Sequence, residues 1–160
     1  MVQHADIDHT GLPGVGASAV DYARVSRSTT QTITTSTDTP IGFDTEVEDT
    51  AGYHEGVTNP SRFTVPSSKA GVFHVRGGVF WDANATGQRQ CYIRKNGTAI
   101  PGTYQVDPGN SSFGIAQFAS AIVRLAVGDY VELTVWQNSG GNRTIGNSPV
   151  AAFEIVRIGT

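Results

Sequence analysis

Four histidines and fourteen acidic residues hold whatever acid–base or metal chemistry this chain could perform. Two stretches concentrate them. In "HADIDHTGLPGVG", an extended backbone puts His4, Asp6 and Asp8 on one side and His9 on the other, because side chains alternate along a strand. An imidazole and two carboxylates form an N/O donor set that zinc accepts. No cysteine adjoins them and no outer partner for the imidazole is identifiable, so hydrogen bonding to a partner surface is favoured over metal. In "FDTEVEDTAGYHEG", Asp44, Glu46 and Glu48 alternate, with Glu55 downstream. Aligned on an EF-hand loop, Asp44 and Glu55 take the first and last ligand positions. Asp49, however, stands where the loop needs glycine for its sharp turn. A solvated acidic loop is the expectation.

Other chemistry-bearing residues are scattered. His54 and His74 are isolated, no Gly-x-Ser-x-Gly elbow occurs, and no carboxylate pair has a glycosidase setting. His74, on a predicted strand, is expected to be packed and hydrogen-bonded. Cys91 alternates with Ile93 and reads as a small buried hydrophobe. Tyr104 and Trp136 have the chemistry to line a sugar-binding surface, although burial or an interface is the commoner use of such aromatics. No catalytic residue, cofactor or metal is assigned. The expectation is a non-enzymatic protein.

Composition narrows the classes further. One hundred and sixty residues suit a single domain with a real core. Charged residues make up only 16%, so Thr, Ser, Asn and Gln must supply much of the polar surface. A net charge of −3 lacks the basic excess that neutralises phosphates, which argues against nucleic acid. No stretch nears the ~20 apolar residues of a membrane span, and no secretory signal is visible. One cysteine excludes an intrachain disulfide framework. Sequons at Asn84, Asn96, Asn110 and Asn142 are read as chance products of a Thr/Ser/Asn-rich surface. Synthesis in a reducing cytoplasm is the expectation.

Strands must position these residues. After a polar, Gly-rich arm over 1–19, the rest, 20–160, carries strand chemistry. "RSTTQTITTSTDT" is β-branched and polar, suited to an exposed or edge strand. In "AGVFHVRGGVFWD", Phe73, Val75, Gly77, Val79 and Trp81 share one face. "RQCYIRKNG" ends on Asn96-Gly97, a dipeptide made for a type I′ hairpin. In "QFASAIVRLAVGDYVELTVWQN", Phe118, Ile122 and Leu125 approach helical spacing. Ala119, Ala121, Val123, Leu125 and Val127 nevertheless alternate without a break, and Val131, Leu133 and Val135 do so after Gly128-Asp129. Two strands around a turn fit better than one helix. Phe153 and Ile155 oppose Glu154, Val156 and Ile158 in the last strand.

"NPSRFTVPSSKAGVFHVRGGVFW", "RQCYIRKNG", "AIVRLAVGDYVELTVWQ" and "AAFEIVRI", in that order, resemble the complement-type, tumour-necrosis-factor-like jelly roll, from about Asn59 to Ile158. The wording is similar to versions in tailed-bacteriophage virion proteins, where a "HxDIDHTGxxGV" arm precedes such a domain. The resemblance implies an all-β antiparallel jelly-roll sandwich whose last strand returns through the middle of one sheet. It also implies a homotrimer, and around its threefold axis three copies of His4, Asp6 and Asp8 would meet. Phe73, Val75, Cys91, Ile93, Val123, Leu125, Leu133 and Phe153 are predicted to lie largely inside the sandwich or at the axis of the trimer.

The expected function is a structural knob on the virion surface, such as a capsid decoration. It would dock on a phage capsid or tail protein through His4, Asp6, Ile7, Asp8, His9, Leu12 and Val15. A native start at Met1 would favour this compact unit. The alternative is a tail-fibre tip that recognises a host surface glycan or protein. Two Gly-X-Y triplets interrupted at Ala17 exclude collagen for the arm.

Overall fold

The computed structural model describes residues 20–145 and 151–160, and the arm with all its attachment and metal candidates lies outside them. The described residues are built from strands and turns, with every strand pairing antiparallel. The first sheet runs β4 (Thr45–Asp49), β1 (Tyr22–Ser26), β14 (Ala152–Gly159), β7 (Gly71–Trp81) and β11 (Ile115–Leu125). At one end of β7 it takes on β13 (Arg143–Ile145), which carries β2 (Gln31–Ile33). The second sheet runs β5 (His54–Glu55), β6 (Asn59–Thr64), β12 (Tyr130–Gln137), β8 (Asn84–Lys95) and β10 (Gln105–Asn110). Here β3 (Thr39–Pro40) flanks β12, and β9 (Thr98–Ala99) flanks β8.

Period-2 patterning places the core between the sheets. Phe73, Val75, Val79 and Trp81 of β7 point inward beside Phe153 and Ile155 of β14. Cys91 and Ile93 of β8 meet them from the other side with Val131, Leu133 and Val135 of β12. Phe153 is the hinge of an aromatic stack, 4.8 Å from Phe63 and 5.8 Å from Phe43 between ring centroids. Removing such side chains from water is the main driving force for folding. Of the predicted core, seven residues are buried, while Val123 is only partly covered at the end of the sandwich where β11 forms an open edge.

The expected turns form as their residues require. Asn96 and Gly97 have φ of 50° and 77°, both positive as a type I′ turn demands, and they join β8 to β9. Gly128, at φ 84°, turns β11 into β12. The helical spacing around Phe118 is therefore a coincidence within two strands. One expectation is corrected. "RSTTQTITTSTDT" is not one exposed strand: Ser36 takes a positive φ of 58° and its N–H donates to the Gln137 carbonyl at 2.6 Å. That turn divides the segment between β2 in one sheet and β3 in the other, and buries Ile33.

Buried polar side chains close the ends of the core. Gln117 accepts from Trp81 Nε1 at 2.9 Å and donates to the Arg89 carbonyl at 2.9 Å and to Asp107 Oδ2 at 2.8 Å. An amide both donates and accepts, so one buried Gln can satisfy three neighbours that would otherwise lose water without replacement. Gln137 does the same at the end of the central strand β12, donating to the carbonyls of Ile33 and Gly141.

Candidate functional site on an exposed sheet face

The face of the first sheet that points away from the core is the strongest candidate. Register pairs its outward residues across strands. One row runs Tyr22, Val156, His74, Ile122; the next runs Glu48, Arg24, Glu154, Arg76, Ser120; a third runs Ser26, Ala152, Gly78, Phe118. Apolar side chains gather toward β11. Ile122 is 70% exposed, Phe118 57% and Ile158 53%, with the part-covered Val72, Phe80 and Val156 among them. A cluster of this kind costs solubility unless something covers it.

Two glycines shape this face. An added Cβ at Gly78 would collide with the Phe118 ring, so that ring lies flat across the bare backbone of its cross-strand neighbour. Phe80 lies in the same way over Gly114. Aromatic cover of an exposed glycine restores contact that the missing side chain cannot make. The guanidinium of Arg76 stands 5.9 Å from the Phe118 ring centre, at the outer limit of a cation–π contact. Most charges fall in one row, and Arg124, opposite Val72, stands beyond Ile122 at the end of β11. Arg24 and Glu154 approach to 3.4 Å, both well exposed, so the pair orients the surface more than it stabilises it. A hydrogen bond to Glu48 raises the Tyr22 phenol above its usual range.

The patch wraps round the free edge of β11. There the Phe118 N–H donates to Gln105 Oε1 at 2.7 Å, and the Arg124 carbonyl accepts from Lys95 Nζ at 2.9 Å. Side chains thus occupy part of an edge that a further strand would otherwise claim. Beyond it, Ala99, Ile100, Pro101 and Val123 line a shallow apolar groove. Where the chain enters β1, Asp21 binds Lys69 at 2.9 Å and lies 3.5 Å from Arg157; these cations hold its carboxyl below the usual range.

The acidic residues do not converge. Asp44 accepts from the Ser28 N–H and the Thr29 hydroxyl, both at 2.7 Å, and this holds its carboxyl far below normal despite partial desolvation. Asp49 takes the N–H groups of Ala51, Gly52 and His54, and Glu55 those of Val57 and Thr58. Each acid fixes its own turn. Among the described residues, no three His, Cys, Asp or Glu side chains are grouped to hold a metal.

The histidines differ from expectation and from each other. His74 is exposed on the open face between Val156 and Ile122, without a hydrogen bond among the described residues, rather than packed and bonded as expected. It sits on the outward side of β7, and the side chains opposite it are aliphatic. His54 is the packed one, edge-on to Phe63, with Nε2 3.3 Å from the Pro60 carbonyl and Nδ1 3.8 Å from Glu46. Cys91 is buried as expected, and desolvation pushes its thiol up to about 12. Sequence reasoning missed Phe118 and Ile122 as surface residues. The signal was present: once Ala119, Val123 and Leu125 are assigned to the core, strand alternation sends both outward.

Two seven-stranded antiparallel sheets, with β14 returning between β7 and β1 in the middle of one of them, define a jelly-roll sandwich of the complement and tumour-necrosis-factor type. Solved structures share it. The globular domain of zebrafish complement 1qA superposes with a TM-score of 0.62 at 17% identity, covering 86% of this chain and 97% of that one. Murine APRIL at pH 8.0 gives 0.65 at 10% identity, covering 87% and 99%. Eiger TNF from S. frugiperda gives 0.59 at 15% identity, covering 87% and 92%. No protein-family model and no curated protein matches the chain.

Proposed function

We propose that this protein is a non-enzymatic structural knob: a homotrimer that packs the open face of its β7 sheet between protomers and docks on a tailed-phage particle through the arm over 1–19. The observation that carries the assembly is the exposed cluster of Phe118, Ile122 and Ile158, which continues round the β11 edge to Ile100 and Val123. A threefold arrangement covers such a surface, and the sandwich fold is one whose relatives are often trimeric. The place on a virion is supported by the wording of the arm and of the strands that follow it. The arm's Ile7, Leu12 and Val15 would be its apolar anchors, and its ordering cost would be offset by three arms binding together.

Light scattering tests the assembly. The expected mass at micromolar concentration is three times that of the chain, and Ile122→Arg should reduce it to one. A wild-type monomer would remove the reading. Docking is tested separately with a protein starting at Val20, which should fold and trimerise yet fail to bind particles stripped of the knob. Binding equal to that of the full chain would refute the tether. Loss of binding with a chelator and its return with zinc would instead favour His4, Asp6 and Asp8 as metal ligands.

A further inference from the structure

The second sheet also has an outward face, on the opposite side of the molecule from the proposed trimer contact. Its character is different. Tyr104, directly before β10, stacks on Tyr92 of β8 with ring centres 4.3 Å apart and planes within 17°. Tyr92 is buried beneath it, whereas Tyr104 is 50% exposed. One side of the Tyr104 ring is thus backed by a fixed aromatic, and its other side is free.

One pleat along, the register pairs Trp136 of β12 with Gln90 of β8, and Gln90 with Val106 of β10. Trp136 on β12 and Tyr104 at the entry to β10 therefore stand on the two sides of β8, two interstrand spacings or about 9.6 Å apart in the pairing direction and one pleat apart along the strands. Gln90 shares the row of Trp136, one pleat from the Tyr104–Tyr92 stack. The Tyr104 hydroxyl, the Gln90 amide and the Trp136 N–H have no hydrogen-bond partner among the described residues. The charges close by are already matched. Arg94 binds Asp38 and lies over the Tyr92 ring, and Arg62 binds Glu132 at 3.0 Å.

We propose that this face is a saccharide-binding platform in which Tyr104 stacks against the apolar face of a neutral sugar ring, while Gln90 and the Trp136 N–H bond its hydroxyls. Aromatic faces interleaved with unengaged neutral donors and acceptors suit a ring that is apolar on its faces and hydroxylated at its rim. The internal pairing of Arg94 and Arg62 favours a neutral ligand over an acidic one. A planar amide both donates and accepts, as adjacent hydroxyls do. The proposal goes beyond the assembly reading and stands whether the protein is a monomer or a trimer.

The test is an array of immobilised neutral and acidic oligosaccharides, followed by titration of the best neutral binder with Trp fluorescence as the signal. Neutral glycans should bind at millimolar to micromolar concentration. Tyr104→Ala and Gln90→Ala should each weaken binding about tenfold or more, the loss expected for one stacking or charge-free hydrogen-bonding partner, with melting nearly unchanged. Tyr104→Phe, which keeps the ring, should retain most of the affinity, and Trp136→Phe should abolish the fluorescence change. Three results would overturn the proposal: no neutral glycan bound at millimolar concentration, binding indifferent to Tyr104→Ala and Gln90→Ala, or attachment to cells that survives glycan removal and disappears on protease treatment. The last would identify a protein partner instead.

Discussion

Asn96 donates its side-chain amide to Asp129 at 2.8 Å and returns the favour through its own Oδ1, which accepts the Tyr130 N–H at 2.9 Å. The Asn96-Gly97 hairpin and the Gly128-Asp129 turn, thirty-odd residues apart, are thereby stitched into one corner of the sandwich. Asp129 also accepts from the Ala126 N–H at 2.8 Å and pairs with Lys95 at 2.8 Å.

Lys95, Asn96 and the Ala126 N–H together hold the Asp129 carboxyl down at about 2, from an ordinary 3.8. A carboxyl whose folded value is depressed contributes stability that is complete above its unfolded value and is lost as pH falls through the folded one. The wild-type protein should therefore lose this contribution between about pH 4 and pH 2. Asp129→Asn should melt lower at pH 7 and converge with the wild type near pH 2, as followed by circular dichroism.

Leu133 is fully buried between Ile93 and the bare backbone of Gly77. Truncation to Ala leaves a cavity that rigid strands cannot close, and should cost about 2–5 kcal/mol in urea unfolding. Unchanged stability would mean that β12 presents its other face to the core, as a one-residue slip would require.

Gly77 and Gly78 are neighbours with opposite demands. A Cβ at Gly77 would press on Phe153 at 2.7 Å and Leu133 at 2.9 Å, inside the packed core. Gly77→Ala should therefore destabilise by about 1–3 kcal/mol, the cost of overpacking. At Gly78 the severe obstacle is the exposed Phe118 ring, which can swing away, leaving only the Gln117 carbonyl at 3.0 Å to give slightly. Gly78→Ala should lower the melting temperature much less than Gly77→Ala while weakening self-association, and the small loss should shrink further when Phe118→Ala is added.

Cys91 should be unreactive. Its thiol is enclosed and desolvation pushes it up to about 12, so little thiolate forms and no reagent reaches it. A thiol-specific chromophore at pH 8 should label the protein in urea and not in buffer. Rapid labelling of the native protein would show that the sandwich opens at β8.

Much of this architecture is written locally. Alternation from Phe73 to Trp81 names a strand and its buried side, because a strand has two faces and only one meets the core. Asn96-Gly97 names a hairpin, since few other residues accept positive φ at both turn positions. The final strand's place between β7 and β1 was legible from the order of motifs that resemble the jelly roll.

What the sequence left open is set by contacts between distant segments. Nothing local marks Gln117 and Gln137 for burial, yet both are buried because Trp81, Arg89 and Ile33 bring groups that need an amide. Thr134 and Glu132 alternate with the core side chains of β12, which by period 2 alone sends them outward, yet both are buried. Neighbouring strands supply the reason: Thr134 stands between Pro40 of β3 and Tyr92 of β8, and Arg62 of β6 pairs with Glu132. His74 and His54 look alike in sequence, and only the side of the strand and the neighbouring strands separate an exposed ring from an enclosed one. The two candidate surfaces are likewise tertiary. Phe118 and Ile122 come from β11, Val156 from β14, Gln90 from β8, Trp136 from β12 and Tyr104 from the turn that enters β10. Alternation determines which way each side chain points, but only strand pairing across the sheet decides which ones stand together, because register is a relation between segments and no single segment contains it.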